Sequence, residues 1–510
     1  YSSSAYSLGV NVSAPDDAAP QRPTNEASAP TESLFVGGDA ADLAATMSTR
    51  LLHRARVAVL CPDEPELLRT AASLARSGPW PVLIGEPGAE LPAATAEAVR
   101  RLEVEHLVAL VAEAAGSGGT PSRTGTESAS GSNPAESAIP GLPDVTVHVV
   151  PASAAAQPPE GVPTGERPAE LPAHVLVSAG AAGTAAASTA AAFGGRPHTD
   201  VVDPRDAQDV FAALRERPDL PLVCLASEDA AAERLFIEAT MAQRAPELPG
   251  GGVTCFPHRR MVALYGHPGA PVLGLLGEQG IEGSVQRVGE YVERYTPLVT
   301  ETVVPAWEMI ASVATAGAGD DGNYSKVWEP ALFRPWVDAA KDAGIYVVLD
   351  LQPGRSDFLT QAKEYEELLL EPHVGLALDP EWRLGPNERH LVRIGHVEAA
   401  EINSVSDWLA TLVRENDLPQ KVLTLHQFRL SMIRDRDQVR TDHPEIAVVL
   451  HADGQGGQGA KQDTWRVLKE DLPEGMWLGW KNFYDEDSPM LTPEQTIAQV
   501  EPTPWFISYQ

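Results

Sequence analysis

The chain has 510 residues and a mass of 54.3 kDa, which is too long for one ordinary hydrophobic core and predicts two or three domains. It carries 38 Lys and Arg residues against 71 Asp and Glu residues, a formal net charge of −33, so it is not expected to bind nucleic acid or an anionic lipid surface. The hydrophobic content of 43% excludes global disorder. The three cysteines are too few for a disulfide framework.

The first 33 residues are rich in Ser, Ala, Pro and Asp and lack apolar periodicity, which predicts a flexible tether over 1–33. The chain begins at Tyr1, with neither Met nor an apolar signal region, which indicates a processed or trimmed chain. No run of about 18 apolar residues occurs that could span a bilayer. Attachment to a membrane is therefore expected only through an N-terminal lipid anchor that this sequence does not contain.

Between residues 34 and 250, strand-like apolar runs alternate with segments of helical spacing. The runs RVAVLCP at 56–62 and HLVALV at 106–111 have the composition of buried strands, and residues 65–76 between them have helical spacing. This alternation predicts an α/β domain with a parallel sheet and helices on both faces. A Gly-, Ser- and Thr-rich stretch at about 115–142 predicts a disordered insertion in that domain.

The start of this domain, residues 34–111, resembles the cell wall-binding type 2 repeat of actinobacteria and clostridia. The resemblance is carried by Gly37-Gly38-Asp39 before a helix ending at Ala45-Thr46, the strand Val57–Cys61, the PVLI of Pro81–Ile84 and the LPAATAEAVRRL of Leu91–Leu102. This copy departs from the pattern, because Ala40 stands where an Arg usually follows Asp39 and Val108-Ala109-Leu110 replaces a closing Val-Gly-Gly. Such repeats attach proteins to envelope glycans, and the departures leave open whether this domain binds glycan or is a spacer.

The region from 255 to 510 contains eight apolar strand-like runs separated by helical segments. The runs are Arg260–His267, Val303–Val313, Gly344–Leu351, Val374–Trp382, Lys421–Phe428, Ile446–Gly454, Met476–Tyr484 and Pro504–Tyr509. Eight strands with intervening helices in a region of this size predict a (β/α)8 TIM barrel. The helical segments include one predicted over 430–440.

Polar side chains follow five successive strands of this barrel, at the strand ends where such barrels carry their active sites. These ends contain Asp350 and Gln352, then Asp379, Glu381 and Trp382, then His426, then His451 and Asp453, and finally Lys481, Tyr484 and Asp485. Period-two alternation predicts that Asp379 and Glu381 both point into the barrel mouth, and the same holds for the members of the third and sixth strands. For the seventh strand, alternation leaves two inward sets open.

Cleavage of a glycosidic bond needs a carboxylic acid that protonates the leaving oxygen and a second carboxylate or a substrate acetamido group that stabilises the cationic centre. The Asp379-Pro380-Glu381 segment resembles the Asp-x-Glu pattern of several glycoside hydrolase families, including chitinase-type and lysozyme-type barrels. That resemblance implies that Glu381 is the acid and that Asp379 orients it, with Asp485 or Asp453 as the second carboxylate. Substrate binding is predicted for Asp350, Gln352, Trp382, His426, His451, Lys481 and Tyr484. Glu308, within the second strand, is expected to face inward and to pair with a Lys or Arg.

Two other classes of function stay open. Lys481 near the acids favours a non-catalytic glycan-binding or scaffold protein, because a salt-bridged carboxylate is a poor proton donor. A metal-dependent hydrolase is a third class, since His426, His451 and Asp453 have suitable side chains, but no His-x-x-x-His or Asp-x-His spacing supports it. The sequence therefore predicts no metal site and no cofactor.

The barrel as a whole is similar to the C-terminal domain of a group of actinobacterial secreted lipoproteins without an established activity. The segments that carry this similarity, within 258–510, are LYGHPG, VVLDLQPGR, LALDPEW, LHQFR and GWKNFYDED. The similarity implies a secreted or envelope-attached, extracytoplasmic protein. Taken with the strand-end acids, it predicts a glycoside hydrolase-like enzyme whose partner is an envelope or extracellular polysaccharide.

Overall fold

The computed structural model describes residues 23–28, 30–113, 139–168 and 170–510. They form two compact units, of which the first contains the described residues up to Asp200 together with Val223–Ala232, and the second contains Val201–Leu222 and Glu233–Gln510. Most of the predicted tether and of the predicted insertion lies outside the described residues. The tether prediction does not hold for Asn25–Ala27, which form a strand antiparallel to Leu52–Ala55.

The first unit contains two four-stranded sheets. One has the strands Val82–Ile84, Val57–Cys61, His106–Val111 and Thr146–Pro151 in spatial order, all parallel. The other has Leu34–Gly37, Leu222–Ala226, His174–Ser178 and His198–Val201. The α-helices are Ala40–Leu51, Pro65–Ser77, Ala93–Arg101 and Thr184–Ala192, and a 3-10 turn covers Ala152–Ala154. The predicted α/β architecture is thereby confirmed for this half of the chain.

The Gly-Gly-Asp segment of the first unit has a structural role at the start of its first helix. The Asp39 carboxylate accepts hydrogen bonds from the backbone N–H groups of Ala41 and Asp42, at 2.9 and 3.0 Å, and so caps the helix. A Cβ on Gly37 would lie 1.9 Å from the carbonyl carbon of Glu228, so only glycine fits there. These contacts account for the motif without a ligand.

Eight parallel strands close the second unit into a barrel. In chain order they are β1 (Arg259–Gly266), β2 (Thr302–Ala314), β3 (Tyr346–Leu351), β4 (Val374–Leu378), β5 (Lys421–Gln427), β6 (Ile446–Ala452), β7 (Trp477–Asn482) and β8 (Phe506–Tyr509). Each strand pairs with the next, and β1 also pairs with β8, which closes the ring. This pairing confirms the predicted (β/α)8 architecture.

Helices follow most barrel strands. They are α1 (Ile281–Tyr295), α2 (Pro330–Ala343), α3 (Phe358–Glu364), α4 (Glu366–Leu369), α5 (Ala399–Glu415), α6 (Gln458–Lys469) and α7 (Pro493–Gln499), with Gln208–Glu216 and Asp229–Arg244 ahead of the barrel and short 3-10 turns at 271–273, 275–277, 296–298 and 380–382. In the part of the chain that the structure describes, no helix combines the length and the apolar character that crossing a membrane requires.

The helix predicted over 430–440 is wrong. That segment contains two 3-10 turns, Leu430–Met432 and Arg436–Gln438, around a short strand, Ile433–Arg434, that pairs with Val397–Glu398. Asp435 has a φ of +51°, a left-handed conformation that a continuing α-helix does not accommodate. A short strand Ser325–Val327 similarly pairs with the end of β2.

Side chains alternate between two environments along the barrel strands. In β3, Val347, Leu349 and Leu351 belong to the apolar layer between strands and helices, whereas Tyr346 and Val348 belong to the core inside the barrel. The inner core is largely small, with Ala263, Ala306, Ala377, Val422 and Ala447 among its members. Above this core, toward the carboxyl ends of the strands, the inward side chains become polar, and the candidate site begins there.

Candidate active site

A buried polar cluster lies inside the barrel, directly below its mouth. It consists of Tyr265, Glu308, Asp350, Asp379, His426, His451, Asp453, Lys481 and Ser508, none of which is more than 9% exposed. Apolar side chains usually fill all layers of such a barrel, and buried ionisable groups need partners to offset the loss of water. The contacts within the cluster therefore decide which groups are charged.

His426, on β5, lies at the centre of the cluster between carboxylates. Its Nε2 lies 2.5 Å from Glu308 Oε1 and 3.8 Å from Asp350 Oδ1, and its Nδ1 lies 3.2 Å from Asp453 Oδ2. Burial lowers the pKa of His426, but the carboxylates of Glu308 and Asp350 outweigh it and hold the pKa well above its ordinary value. His426 is therefore an imidazolium at neutral pH, and it is this histidine, not a Lys or Arg, that pairs with Glu308.

Asp350, at the end of β3, is held from the opposite side by Tyr265. The Tyr265 hydroxyl donates to Asp350 Oδ2 at 2.8 Å. Burial, together with the nearby Glu308, raises the pKa of Asp350 to about 6 against the opposing effect of His426. His451 completes the cluster with a 2.7 Å contact between its Nε2 and Ser508 Oγ, and burial and the charge of His426 lower its pKa well below the usual range. His451 is therefore neutral.

A cavity of about 590 Å³ opens above the cluster at the carboxyl ends of the strands. Its lining combines acids, amides, aromatic rings and basic groups, and includes Tyr265, Gln352, Asp379, Glu381, Trp382, Phe428, Arg429, Asp453, Gln455, Lys481 and Phe483. The position of the cavity is that of the active site in enzymes of this fold. Aromatic faces beside carboxylates and amides suit a polyhydroxylated ligand such as a sugar ring.

Three acids of the lining, Asp379, Glu381 and Asp453, each place a carboxyl oxygen within 4.8 Å of the other two. Asp379 follows β4 directly, and Glu381 lies in the 3-10 turn Pro380–Trp382 that comes next. Both point into the mouth, as the alternation predicts, although Glu381 is no longer on the strand. Asp453 approaches them from the end of β6.

The environments of these acids push their pKa values apart. Burial raises the pKa of Glu381 to about 7, and the charge of Asp453 adds to the effect. Burial and Asp350 raise the pKa of Asp379 well above its usual range. Burial also acts to raise the pKa of Asp453, but the hydrogen bond and the charge of His426 outweigh it and lower that pKa. Of the three acids, Asp453 therefore favours its ionised form, whereas Asp379 and Glu381 are shifted toward their protonated forms.

The seventh strand resolves the ambiguity that alternation leaves. Lys481 and Phe483 line the cavity, whereas Trp480 packs outward against Trp465 with ring centroids 5.5 Å apart. Tyr484 is 45% exposed and its hydroxyl contacts that of Tyr291. The structure does not bring Tyr484 to the cavity, because it lies two residues beyond the end of β7 and is directed toward Tyr291 instead.

Asp485, the other candidate for the second carboxylate, is exposed and is not among the lining residues. β7 ends at Asn482, so the strand alternation that would carry Asp485 inward has stopped before this residue. Asp350, His426 and His451 are brought to the site but lie below the lining, where they contact other cluster members. Gln352 and Trp382 do line the cavity.

Several residues that line the cavity are not among the site residues predicted from the sequence. Tyr265 lies in the first strand, two residues after the inward Ala263, so alternation alone places it on the inner face. Phe428 and Arg429 belong to the LHQFR segment and follow β5, as active-site loops do. The pairing of Glu308 with His426 joins residues 118 positions apart, and nothing in the local sequence signals it.

Two groups of side chains have the donor types of a metal site. They are Glu308 with Asp350 and His426, and Asp379 with Glu381 and Asp453. In the first group His426 is held as an imidazolium by carboxylates on both ring nitrogens, so it offers no lone pair to a metal. The second offers oxygen ligands of the kind that Mg²⁺ and Ca²⁺ prefer, but the Lys481 side chain lines the same cavity and its positive charge opposes a cation there. The donors therefore fit proton transfer better than metal binding.

The fold and the cavity define a (β/α)8 barrel protein with a carboxylate-lined mouth. No protein-family model matches the chain, and none of the curated proteins matches it. Among solved structures, it is similar to the xylanase and α-amylase inhibitor protein XAIP-II from Scadoxus multiflorus, with 13% identity, a TM-score of 0.29, and coverage of 49% of this chain and 92% of that chain.

Two further solved structures show the same kind of similarity. XAIP-I in complex with trehalose has 15% identity and a TM-score of 0.30, over 49% of this chain and 92% of that one. A hyperthermophilic endo-β-1,4-glucanase in complex with substrate has 9% identity and a TM-score of 0.27, over 48% and 87%. Similarities this low carry no argument about function, so the assignment of the barrel rests on its own strand pairings.

Proposed function

We propose that the barrel is a glycoside hydrolase-like enzyme that cleaves an envelope or extracellular polysaccharide. The observation that carries the proposal is the pairing, in one cavity, of two carboxyl groups with oxygens within 4.8 Å of each other: Glu381, whose pKa is raised to about 7, and Asp453, whose pKa is lowered. Two carboxyl groups whose environments push their pKa values apart are the arrangement that acid-assisted glycosidic cleavage requires.

In this proposal Glu381 is the general acid. A pKa of about 7 keeps a large fraction of its carboxyl protonated near neutral pH, where it can give its proton to the leaving oxygen. Asp379, two residues away and neutral, orients Glu381 or a substituent of the sugar. Trp382 and Phe483 supply aromatic faces for the sugar rings, and Gln352 supplies an amide.

Asp453 acts as the second carboxylate. One carboxyl oxygen of Asp453 lies within 4.8 Å of one of Glu381, which is shorter than the roughly 6.5–9.5 Å separation that inverting enzymes need to admit a water molecule and favours a retaining mechanism. A double displacement follows: the Asp453 carboxylate attacks the anomeric carbon as the bond to the leaving oxygen breaks, and Glu381 protonates that oxygen. Water then hydrolyses the glycosyl–Asp453 ester, with Glu381 accepting the proton of the water.

We further propose an extracytoplasmic location at the cell envelope. The support is the resemblance of residues 34–111 to the cell wall-binding repeat and that of the barrel to secreted lipoproteins. The first unit would then hold the enzyme near its polysaccharide or act as a spacer. Binding of the isolated cell-wall fraction by the full chain, compared with a Gly37→Ala variant whose added Cβ would clash with the backbone of Glu228, tests this location.

The test of activity is reducing-end release from a panel of peptidoglycan, chitin-type and actinobacterial envelope glycans. Release by the wild-type chain that is lost in Glu381→Gln and in Asp453→Asn, with folds unchanged by circular dichroism, is the expected result. Asp485→Asn serves as the matched comparison, because this acid lies on the same rim but outside the cavity, and it should retain activity. Full activity of Glu381→Gln would remove Glu381 from the mechanism.

A non-catalytic glycan-binding or scaffold protein is the second candidate. The observation in its favour is the buried Lys481 ammonium in the same cavity, which draws Glu381 toward its ionised form and so opposes its role as acid. Binding of one glycan of the panel by the wild-type chain, with no release of reducing ends from any, would select this candidate.

A further inference from the structure

Three lysines among the described residues are buried, and they differ in how their ammonium groups are satisfied. Lys421 Nζ donates to the carbonyl oxygens of Glu371 and Val374, at 2.9 and 2.5 Å. Lys461 Nζ donates to the carbonyl of Lys481 at 2.7 Å and pairs with Asp487 at 2.5 Å. These two are fixed parts of the barrel, since their hydrogen bonds are made within the chain.

Lys481 is different, because its ammonium lacks a hydrogen-bond or ion-pair partner within the described part of the chain. Its side chain is 3% exposed and lines the cavity, with Nζ 3.4 Å from the centre of the Tyr265 ring and 5.0 Å from that of Phe483. The Tyr265 hydroxyl is taken by Asp350. The charge of Lys481 also acts on Glu381 and Asp453, but a buried ammonium that makes no hydrogen bond is costly unless an acceptor arrives.

Other hydrogen-bond donors of the cavity lining are also without an acceptor in the described part of the chain. Gln352 Oε1 accepts from the backbone N–H of Ala314 at 2.9 Å, which fixes the amide and leaves its Nε2 donor for another molecule. Arg429 reaches the lining from the exposed side and has no ion-pair partner in the described ranges. Of the three lining acids, Asp453 is already bound to His426, and none lies within ion-pair distance of Lys481.

We propose that the glycan bound in this cavity is acidic, and that the carboxylate of one of its sugars takes up the free ammonium of Lys481. The inference rests on the proposed function and names its substrate class. A carboxylate accepts hydrogen bonds from an ammonium and an amide together, and a charge-assisted hydrogen bond in a cavity is stronger than a neutral one. The net charge of −33 disfavours such a ligand, but salt largely screens exposed charges that lie more than about a Debye length from the cavity.

The carboxylate could belong to a uronic acid or to a lactyl group on an amino sugar, and the test separates these sources. The probes are oligoglucuronate, oligogalacturonate and muramic acid-containing peptidoglycan fragments, each beside its carboxyl-reduced neutral form. Dissociation constants are measured by calorimetry on the full chain carrying Glu381→Gln, which prevents turnover. We expect at least one acidic form to bind roughly 10- to 100-fold more tightly than its reduced form.

Adding Lys481→Met should abolish this preference, and Lys363→Met, at an exposed lysine on α3, should leave it unchanged. Persistence of the preference in Lys481→Met, or acidic forms that all bind no better than their reduced forms, overturns the inference. The comparison of acidic and carboxyl-reduced ligands uses the Glu381→Gln chain with Lys481 in place. It therefore tests the preference for acidic ligands even if the Lys481→Met variant does not fold. Turnover of neutral glycans alone would overturn the inference of an acidic substrate and keep the proposed function. Preferential binding of acidic glycans without turnover by the wild-type chain would overturn the proposed enzymatic function and keep the inference of an acidic ligand.

Discussion

Replacing Glu308 by Gln removes a charge from the centre of the polar cluster and preserves its shape. Glu308 and His426 are both fully buried and lie 2.5 Å apart. Two unit charges about 4 Å apart, at an effective dielectric constant of about 20, interact by about 4 kcal/mol, and breaking a buried pair by removing one partner typically costs about 3–5 kcal/mol. We therefore expect Glu308→Gln to lower the free energy of unfolding by about 3–5 kcal/mol.

The pH dependence of this effect has a definite sign. The folded pKa of His426 is raised above its ordinary value of about 6.5, so the stability that protonation contributes is fully present below that value and is lost as pH rises through the folded pKa. Glu308→Gln lowers the folded pKa. The difference between wild type and variant should accordingly be largest near pH 6 and shrink toward alkaline pH.

Urea denaturation followed by circular dichroism at several pH values measures both the loss of unfolding free energy and its pH dependence. In a thermal scan, the same substitution should lower the melting temperature by about 6 °C or more. Glu470→Gln is the matched control, since Glu470 forms an exposed i,i+4 pair with Arg466 at 2.9 Å and should change stability by less than about 0.5 kcal/mol. If Glu308→Gln and Glu470→Gln lowered the free energy of unfolding equally, the buried Glu308–His426 pair would not be the stabilising interaction argued for above.

Four further outcomes test the site and its surroundings. Above pH of about 7, kcat/KM should fall tenfold per pH unit as Glu381 loses its proton, and a flat profile up to pH 9 would contradict its role as acid. The first product seen by proton NMR should keep the anomeric configuration of the substrate; an inverted product would rule out Asp453 as nucleophile. Dialysis against EDTA should leave kcat unchanged, whereas activity restored only by Mg²⁺ or Ca²⁺ would favour metal chemistry. Asp487→Asn, which leaves the buried Lys461 ammonium without its charge partner, should cost about 3–5 kcal/mol in urea denaturation, and a loss below about 1 kcal/mol would speak against this pair.

The barrel and the direction of its strand-end side chains could be predicted because both depend on local periodicity. Leu376 and Leu378 alternate with Gly375 and Ala377, and this alone points Asp379 into the mouth. Sequence periodicity does not predict side-chain direction where a strand stops or where the backbone departs from regular geometry. Asp485 lies beyond the end of β7, and Asp435 adopts a left-handed conformation that ends the helical pattern of its segment.

The charge states of the site could not be predicted, because they arise from contacts between distant strands. His426 and Asp453 both end predicted strands, yet only the closed barrel sets their 3.2 Å contact. That contact is what keeps Asp453 ionised while Glu381 holds a proton. Sequence alternation therefore identifies which acids share the mouth, and the tertiary structure decides which of them gives a proton.

The polar cluster also constrains how the barrel can close. Since successive side chains of a strand point to opposite faces, a slip of one residue in any pairing would turn Glu308, Asp350 or His426 out of the barrel and into the apolar layer under the helices. There each would lose its partner at a cost of several kcal/mol. Misaligned closures of the sheet are thus penalised at several strands together, so the groups that equip the mouth for chemistry also select a single strand register for the fold.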